Sequence, residues 1–231
     1  MLRRLAVLMF ALCAPLAAWA EQPGGEPFGR LATIAPQGPV WVKWEAVEKG
    51  IRNDEEVLRM CVVEPAHCPA AAIVFLAIID DARARVGLDK REAVNRAVNL
   101  AIRFSSDQQQ HGAADVWSSP LATFRSGFGD CEDFAIAKYV ALGAAGVPPS
   151  ELRLAIVRQG PRKYHMVLAA RLDRHWLILD MLRSQILEDI ATDYVPRFVI
   201  DYEGIREFQF PHGPVADASA EESLNTGTSC N

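Results

Sequence analysis

The sequence predicts an α+β fold in which N-terminal helices pack on an antiparallel sheet. Three observations predict it. Apolar residues recur at helical spacing through residues 69–145. After Pro148-Pro149 the texture changes to short apolar runs separated by turn residues, which read as strands. Helices first and strands second is an α+β order. The chain has 231 residues, 50% of them hydrophobic, enough for one globular domain with a sizeable core. A net charge of −5 and the lack of a basic stripe exclude nucleic acid as a partner.

In chain order, residues 1–20 read as an export signal. Arg3 and Arg4 form a basic start, Leu5 to Leu16 an apolar run, and Ala18-Trp19-Ala20 a small-x-small cleavage site. The run is shorter than the ~20 residues that span a bilayer, with an uncleaved anchor as the alternative. The expected location is the periplasm, and Cys13 is expected to leave with the signal. Residues 21–39 hold several Gly and Pro and read as an extended arm, residues 40–210 as the domain, and residues 211–231 as a disordered tail ending near Cys230.

Within the domain, Val40 to Trp44 opens the ordered part and residues 47–61 can hold one helix. Ile73, Phe75, Leu76, Ile79 and Ala82 place a helix over residues 69–85. Asp89 is the expected N-cap of a second, with Val94, Ala97, Val98, Ala101 and Ile102 along one side to residue 104. Residues 105–120 have no periodicity and read as a loop. Phe134 to Ala145 is an Ala-rich buried helix, closed by Gly146 as its C′ residue. The strands are expected at residues 152–157, 164–170 and 176–180, with further ones near Ile186, Ile190 and 198–202.

In an oxidising compartment Cys61 and Cys68 are close enough to close a short loop as a disulfide. A metal pair with His67 is the rival, without a second pair of ligands nearby. Cys131 stands where a loop meets a helix. There, unpaired N–H groups and the positive end of the helix dipole favour a thiolate, which is the nucleophilic form. A free cysteine is otherwise often buried and inert. His165 lies in one strand and Asp180 ends the next. A hairpin centred between Leu172 and Asp173 sets 165 opposite 180 on one face, so that Asp180 fixes Nδ1 and leaves Nε2 for the thiol. Alone, such a histidine packs in a core and such an aspartate forms a turn. Together in the order Cys, His, Asp they read as nucleophile, base and orienter.

The stretch Gly129-Asp130-Cys131-Glu132-Asp133-Phe134-Ala135-Ile136-Ala137-Lys138-Tyr139 closely resembles the nucleophile motif of the bacterial transglutaminase-like cysteine proteinases, a family that includes the LapG-type periplasmic adhesin proteases. Residues 94–99, Asp115-Val116-Trp117-Ser118-Ser119-Pro120, His165 to Leu168 and Leu179-Asp180 extend the resemblance over residues 41–198. The Cys61–Cys68 pair, the polar tail and Met181 have no counterpart in the pattern. The resemblance implies a papain-like/transglutaminase-like core and calcium. Independently of it, Asp130, Glu132 and Asp133 around the nucleophile oppose a thiolate unless a cation neutralises them, although acids at a helix start also suit its dipole. The resemblance carries Asp130 and Glu132 over as metal ligands. Asp115 and Asp133 are candidates by nearness in sequence, and the stretch from Asp107 to Asp115 lacks an EF-hand pattern. Trp117 reads as a structural anchor, with lining the cleft or helping an oxyanion hole as the alternative, and the Cys131 N–H as an oxyanion donor.

The resemblance implies a periplasmic endopeptidase that cuts a surface adhesin near paired alanines and releases it, under an inner-membrane receptor. The same triad also suits transglutaminase or amidase acyl transfer, since the acyl-enzyme is common to all of these. A non-catalytic binding module on this fold is the third reading.

Overall fold

The computed structural model describes residues 25–113, 115–160 and 163–210. The expected signal, the first residues of the arm, the tail, Cys13 and Cys230 lie outside the described residues.

Helix α1 (Pro39–Val63) begins with proline at its first turn, where no N–H is needed. It buries Val40, Trp44, Val47, Ile51, Leu58 and Cys61 along one stripe. The sequence reading gave this region a shorter helix starting later, because Lys43, Glu45 and Glu48 dilute the apolar signal. Helix α2 (Ala70–Arg83) falls within the expected range. The Cys61–Cys68 disulfide ties the end of α1 to the turn before α2. Helix α3 (Gly87–Ala101) starts ahead of Asp89, with Val86 as N-cap and Asp89 inside the first turn. There its carboxylate suits the helix dipole without capping. The expected loop at residues 105–120 holds a short helix α4 (Asp107–His111), and helix α5 (Pro120–Ser126) again starts on a proline.

Helix α6 (Cys131–Ala144) is the hub of the domain. Its residues are buried on almost every side, which suits an Ala-rich helix that neighbours can approach closely. Gly146 follows it at φ 87°, the left-handed geometry that glycine adopts without a Cβ clash.

The main sheet contains β1 (Ala32–Ile34), β4 (Leu152–Gln159), β5 (Lys163–Leu172), β6 (His175–Leu179), β7 (Leu187–Glu188), β8 (Val195–Asp201) and β9 (Gly204–Phe208). Its order is β1-β9-β8-β4-β5-β6-β7, antiparallel throughout. The stretch read as an extended arm supplies edge strand β1. Glu26 pairs with Arg153 and Arg206, and Trp176 donates to the Gly25 carbonyl at 2.8 Å, so the arm is fastened across the sheet. A parallel pair, β2 (Arg103–Phe104) and β3 (Phe128–Gly129), leads the chain into α6.

Alternation along the strands divides the core. Leu154, Ile156, Met166, Leu168, Ala170 and Leu179 join the large cluster with the helices. Ala155, Val157, Val167, Ala169, Trp176, Ile178 and Tyr194 form a second, smaller cluster.

Candidate active site

Strand β5 is longer than its neighbour. β6 pairs only with residues 168–172, so the first half of β5 has one edge without a strand. The start of α6 abuts that edge, and the Met166 N–H donates to Cys131 Sγ at 3.1 Å. This backbone donor and the N-terminus of α6 both meet the sulfur. Cys131 Sγ also lies 3.1 Å from Glu132 Oε2. Gly129 leaves room for Asp133 in the first turn of α6, because a Cβ there would meet the Asp133 side chain at 2.8 Å. Cys131, His165, Met166, Ile156, Trp117 and Glu132 line one narrow crevice of about 20 Å³.

His165 Nε2 lies 2.7 Å from Asp180 Oδ1, with both side chains buried. The route to this contact differs from the expected one. The turn is centred between Asp173 and Arg174, with Asp173 at φ 55°, and Leu172 faces His175. Continuing that register sets Asp180 opposite Val167, two residues along from His165. The change in pairing is an even number of residues, so both side chains keep the same face and meet diagonally. The ring orientation changes with it: Nε2, not Nδ1, faces the carboxylate.

Asp180 accepts two further hydrogen bonds, from the Leu182 N–H at 3.0 Å and from the Tyr194 hydroxyl. Burial works to raise its pKa, but the His165 bond and charge, with the other donors, hold it at about 2. An ionised carboxylate only accepts, so His165 Nε2 carries a proton and Nδ1 is the ring nitrogen that remains for the thiol. Burial and the Asp180 bond push the Tyr194 phenol up. Asn99 Nδ2 holds the Asp180 carbonyl at 2.9 Å.

The acidic residues separate into two groups. Asp107, Asp130 and Glu132 are buried and offer carboxylate oxygens within 4.8 Å of one another. Asp107 Oδ1 and Asp130 Oδ1 have no hydrogen-bond partner among the described residues. Burial and the charge of Asp107 push Asp130 up to about 7, and burial and the charge of Asp130 push Glu132 well above the usual range. Crowded, partly unsatisfied buried carboxylates fit a hard cation with oxygen ligands, and calcium suits the donor set. The other two candidates are occupied elsewhere. Asp115 pairs with Lys43 and accepts from Trp117 Nε1 at 2.8 Å, while Asp133 accepts the Ser118 N–H at 2.8 Å. Trp117 thus holds Asp115 and also lines the crevice. The chain takes a φ of 57° at Asp115, whose side chain meets Lys43 of α1 and lines the same crevice as Cys131 and Glu132.

Asp107, Tyr194, Lys43 and the Met166 N–H escaped the sequence reading. Ser106-Asp107 had a helix-start signal, but no periodicity linked it to the nucleophile. Tyr194 follows an irregular segment, where spacing sets no register.

A helix-borne cysteine set against a strand-borne histidine–carboxylate pair, on this helix-and-sheet fold, defines a cysteine protease of transglutaminase-like type. The chain belongs to the bacterial transglutaminase-like cysteine proteinases, whose sequence model matches residues 55–201. Among solved structures, Legionella pneumophila LapG is similar at 27% identity and TM-score 0.54, over 74% of this chain and 94% of that one. Its calcium-bound form is similar at 27% identity and TM-score 0.54, over 74% and 97%. The EGTA-treated form gives 26%, 0.53, 74% and 96%. A comparison with curated protein sequences finds no match.

Proposed function

We propose that this protein is a calcium-dependent periplasmic endopeptidase that cuts a surface adhesin through Cys131, His165 and Asp180. The observation that carries the reading is the Cys131 sulfur at a helix start, beside a strand whose His165 is locked to an ionised Asp180. His165 Nδ1 takes the thiol proton, and the thiolate attacks the scissile carbonyl carbon. The oxyanion forms at the α6 N-terminus, where the Cys131 N–H and the helix dipole oppose its charge. Protonated His165 then gives its proton to the leaving amine, which leaves an acyl-thioester on Cys131. Water, deprotonated by His165, releases the acid and restores the thiol. Asp180 holds the ring orientation and stabilises the imidazolium throughout.

Asp107, Asp130 and Glu132 would hold calcium, which when bound would neutralise the carboxylates beside the thiol and fix the start of α6. The similar structures titled calcium-bound and EGTA-treated LapG support this reading. The crevice at Cys131 has room for about one water-sized group, which suits methyl side chains and hence the paired alanines that the motif resemblance implies. The periplasmic location, the adhesin substrate and control by an inner-membrane receptor rest on that resemblance and on the export-type N-terminus.

The test is incubation of the purified protein with a paired-alanine adhesin segment, with calcium and with chelator, followed by mass spectrometry. Hydrolysed fragments that appear only with calcium are expected. Cross-linked or amine-joined products would move the reading to acyl transfer, and no reaction in either condition would overturn it.

A further inference from the structure

A roomier cavity of about 450 Å³ is lined by His165 but not by Cys131. Phe104, Met181 and Leu182 form its apolar walls, Gln159 and Lys163 its polar rim, and His165 and Tyr164 are shared with the Cys131 crevice. Leu182 is 58% exposed and Phe104 49%, so two large apolar side chains stand open beside the catalytic histidine.

Resting on the hydrolase reading above, we propose that this cavity is a subsite for the substrate segment downstream of the scissile bond, and that it selects a bulky apolar side chain there. The direction follows from the chemistry. His165 must hand its proton to the leaving nitrogen, so the chain that begins with that nitrogen passes over His165. A cavity that shares His165 but not Cys131 therefore lies on the leaving-group side. The two volumes then divide the selection. The 20 Å³ crevice admits small residues at the cut, whereas 450 Å³ accepts a Leu, Ile, Met or Phe side chain with neighbouring backbone. Small residues at the cut bring little apolar area of their own. Filling the downstream cavity would supply binding that positions the scissile bond.

The experiment uses the full protein with calcium and a peptide pool in which two adjacent alanines are fixed and the positions after them are randomised. Cut products are sequenced by mass spectrometry. Wild type should enrich Leu, Ile, Met or Phe about fivefold or more at one downstream position. Leu182→Asp should abolish or reverse that enrichment, and Phe104→Ser should weaken it. Both side chains are exposed enough for the fold to survive, which circular dichroism checks. Enrichment absent in wild type, or unchanged in folded Leu182→Asp and Phe104→Ser, overturns the subsite while leaving the protease reading intact. No cleavage of any peptide by wild type, in a pool that contains every downstream residue, overturns both.

Discussion

Replacing Tyr194 with Phe removes one hydroxyl from beneath the catalytic pair and leaves its ring in place. Tyr194 is 6% exposed and its hydroxyl donates to Asp180 Oδ2, so no water replaces it freely. A hydrogen bond to a buried charged acceptor contributes about 1.5–3 kcal/mol. On the Asp180 carboxyl that corresponds to roughly one to two pKa units. Asp180 would therefore rise from about 2 toward its ordinary value of 3.8 and stay ionised at pH 7. Its bond to His165 persists, so activity at pH 7 falls by about tenfold or less. Stability falls by about 1.5–3 kcal/mol, or roughly 3–10 °C in midpoint for a domain of this size. The pH dependence has a definite sign. A depressed carboxyl pKa stabilises the fold fully above 3.8, and that contribution disappears as pH falls through about 2. The gap between wild type and Tyr194→Phe should then shrink between pH 4 and pH 2. Thermal melts across that range, with cleavage rates at pH 7, test this. An equal gap at every pH, or complete loss of activity in a folded variant, would refute the reasoning.

Asp107→Asn should lose calcium binding by titration calorimetry, and wild-type affinity should drop as pH falls below about 7, where protons compete for Asp130. Retained affinity in Asp107→Asn contradicts the assigned ligand set. Lys138, fully buried with no hydrogen-bond partner for its ammonium among the described residues, has its pKa pushed down to about 7 by burial. Between pH 7 and 10.5 the unfolded chain binds the proton that the folded chain gives up, so the penalty is largest at pH 7 and below. Lys138→Met should therefore raise stability by roughly 2–5 kcal/mol in urea melts at pH 7, and by little at pH 10.5. A variant less stable at pH 7 would show that Lys138 holds the structure together. Asp180→Asn should reduce single-turnover cleavage less than His165→Ala, because the orienter positions the base that moves the proton. The inverse order would exchange their roles.

Much of this was legible in the sequence because periodicity and punctuation agreed. The α6 helix, its Gly146 stop and the strands β4, β5 and β6 follow from apolar spacing and turn residues alone. The His165–Asp180 contact was legible for a sturdier reason than its register. The turn sits one residue later than the spacing suggested, and this moves the pairing by two, which preserves the face. The ring nitrogen that faces Asp180 depends on the diagonal geometry, so spacing misassigned it. The metal-ligand candidates show the opposite case. Asp130 and Glu132 lie on the motif itself, but the third carboxylate comes from α4, brought in by the packing of a segment without periodicity. Asp115, closer in sequence, stays beside the nucleophile but pairs with Lys43 from a distant helix. Long-range ion pairs of this kind leave no local signal.

The central claim is that Cys131 carries the acyl group. Rapid-quench mass spectrometry of wild type with a cleavable paired-alanine peptide should find the N-terminal product attached to the peptide containing Cys131. Cys131→Ala should show neither adduct nor cleavage, with an unchanged melting curve. Cleavage by folded Cys131→Ala at the wild-type rate, or an adduct on any other residue, would contradict the account.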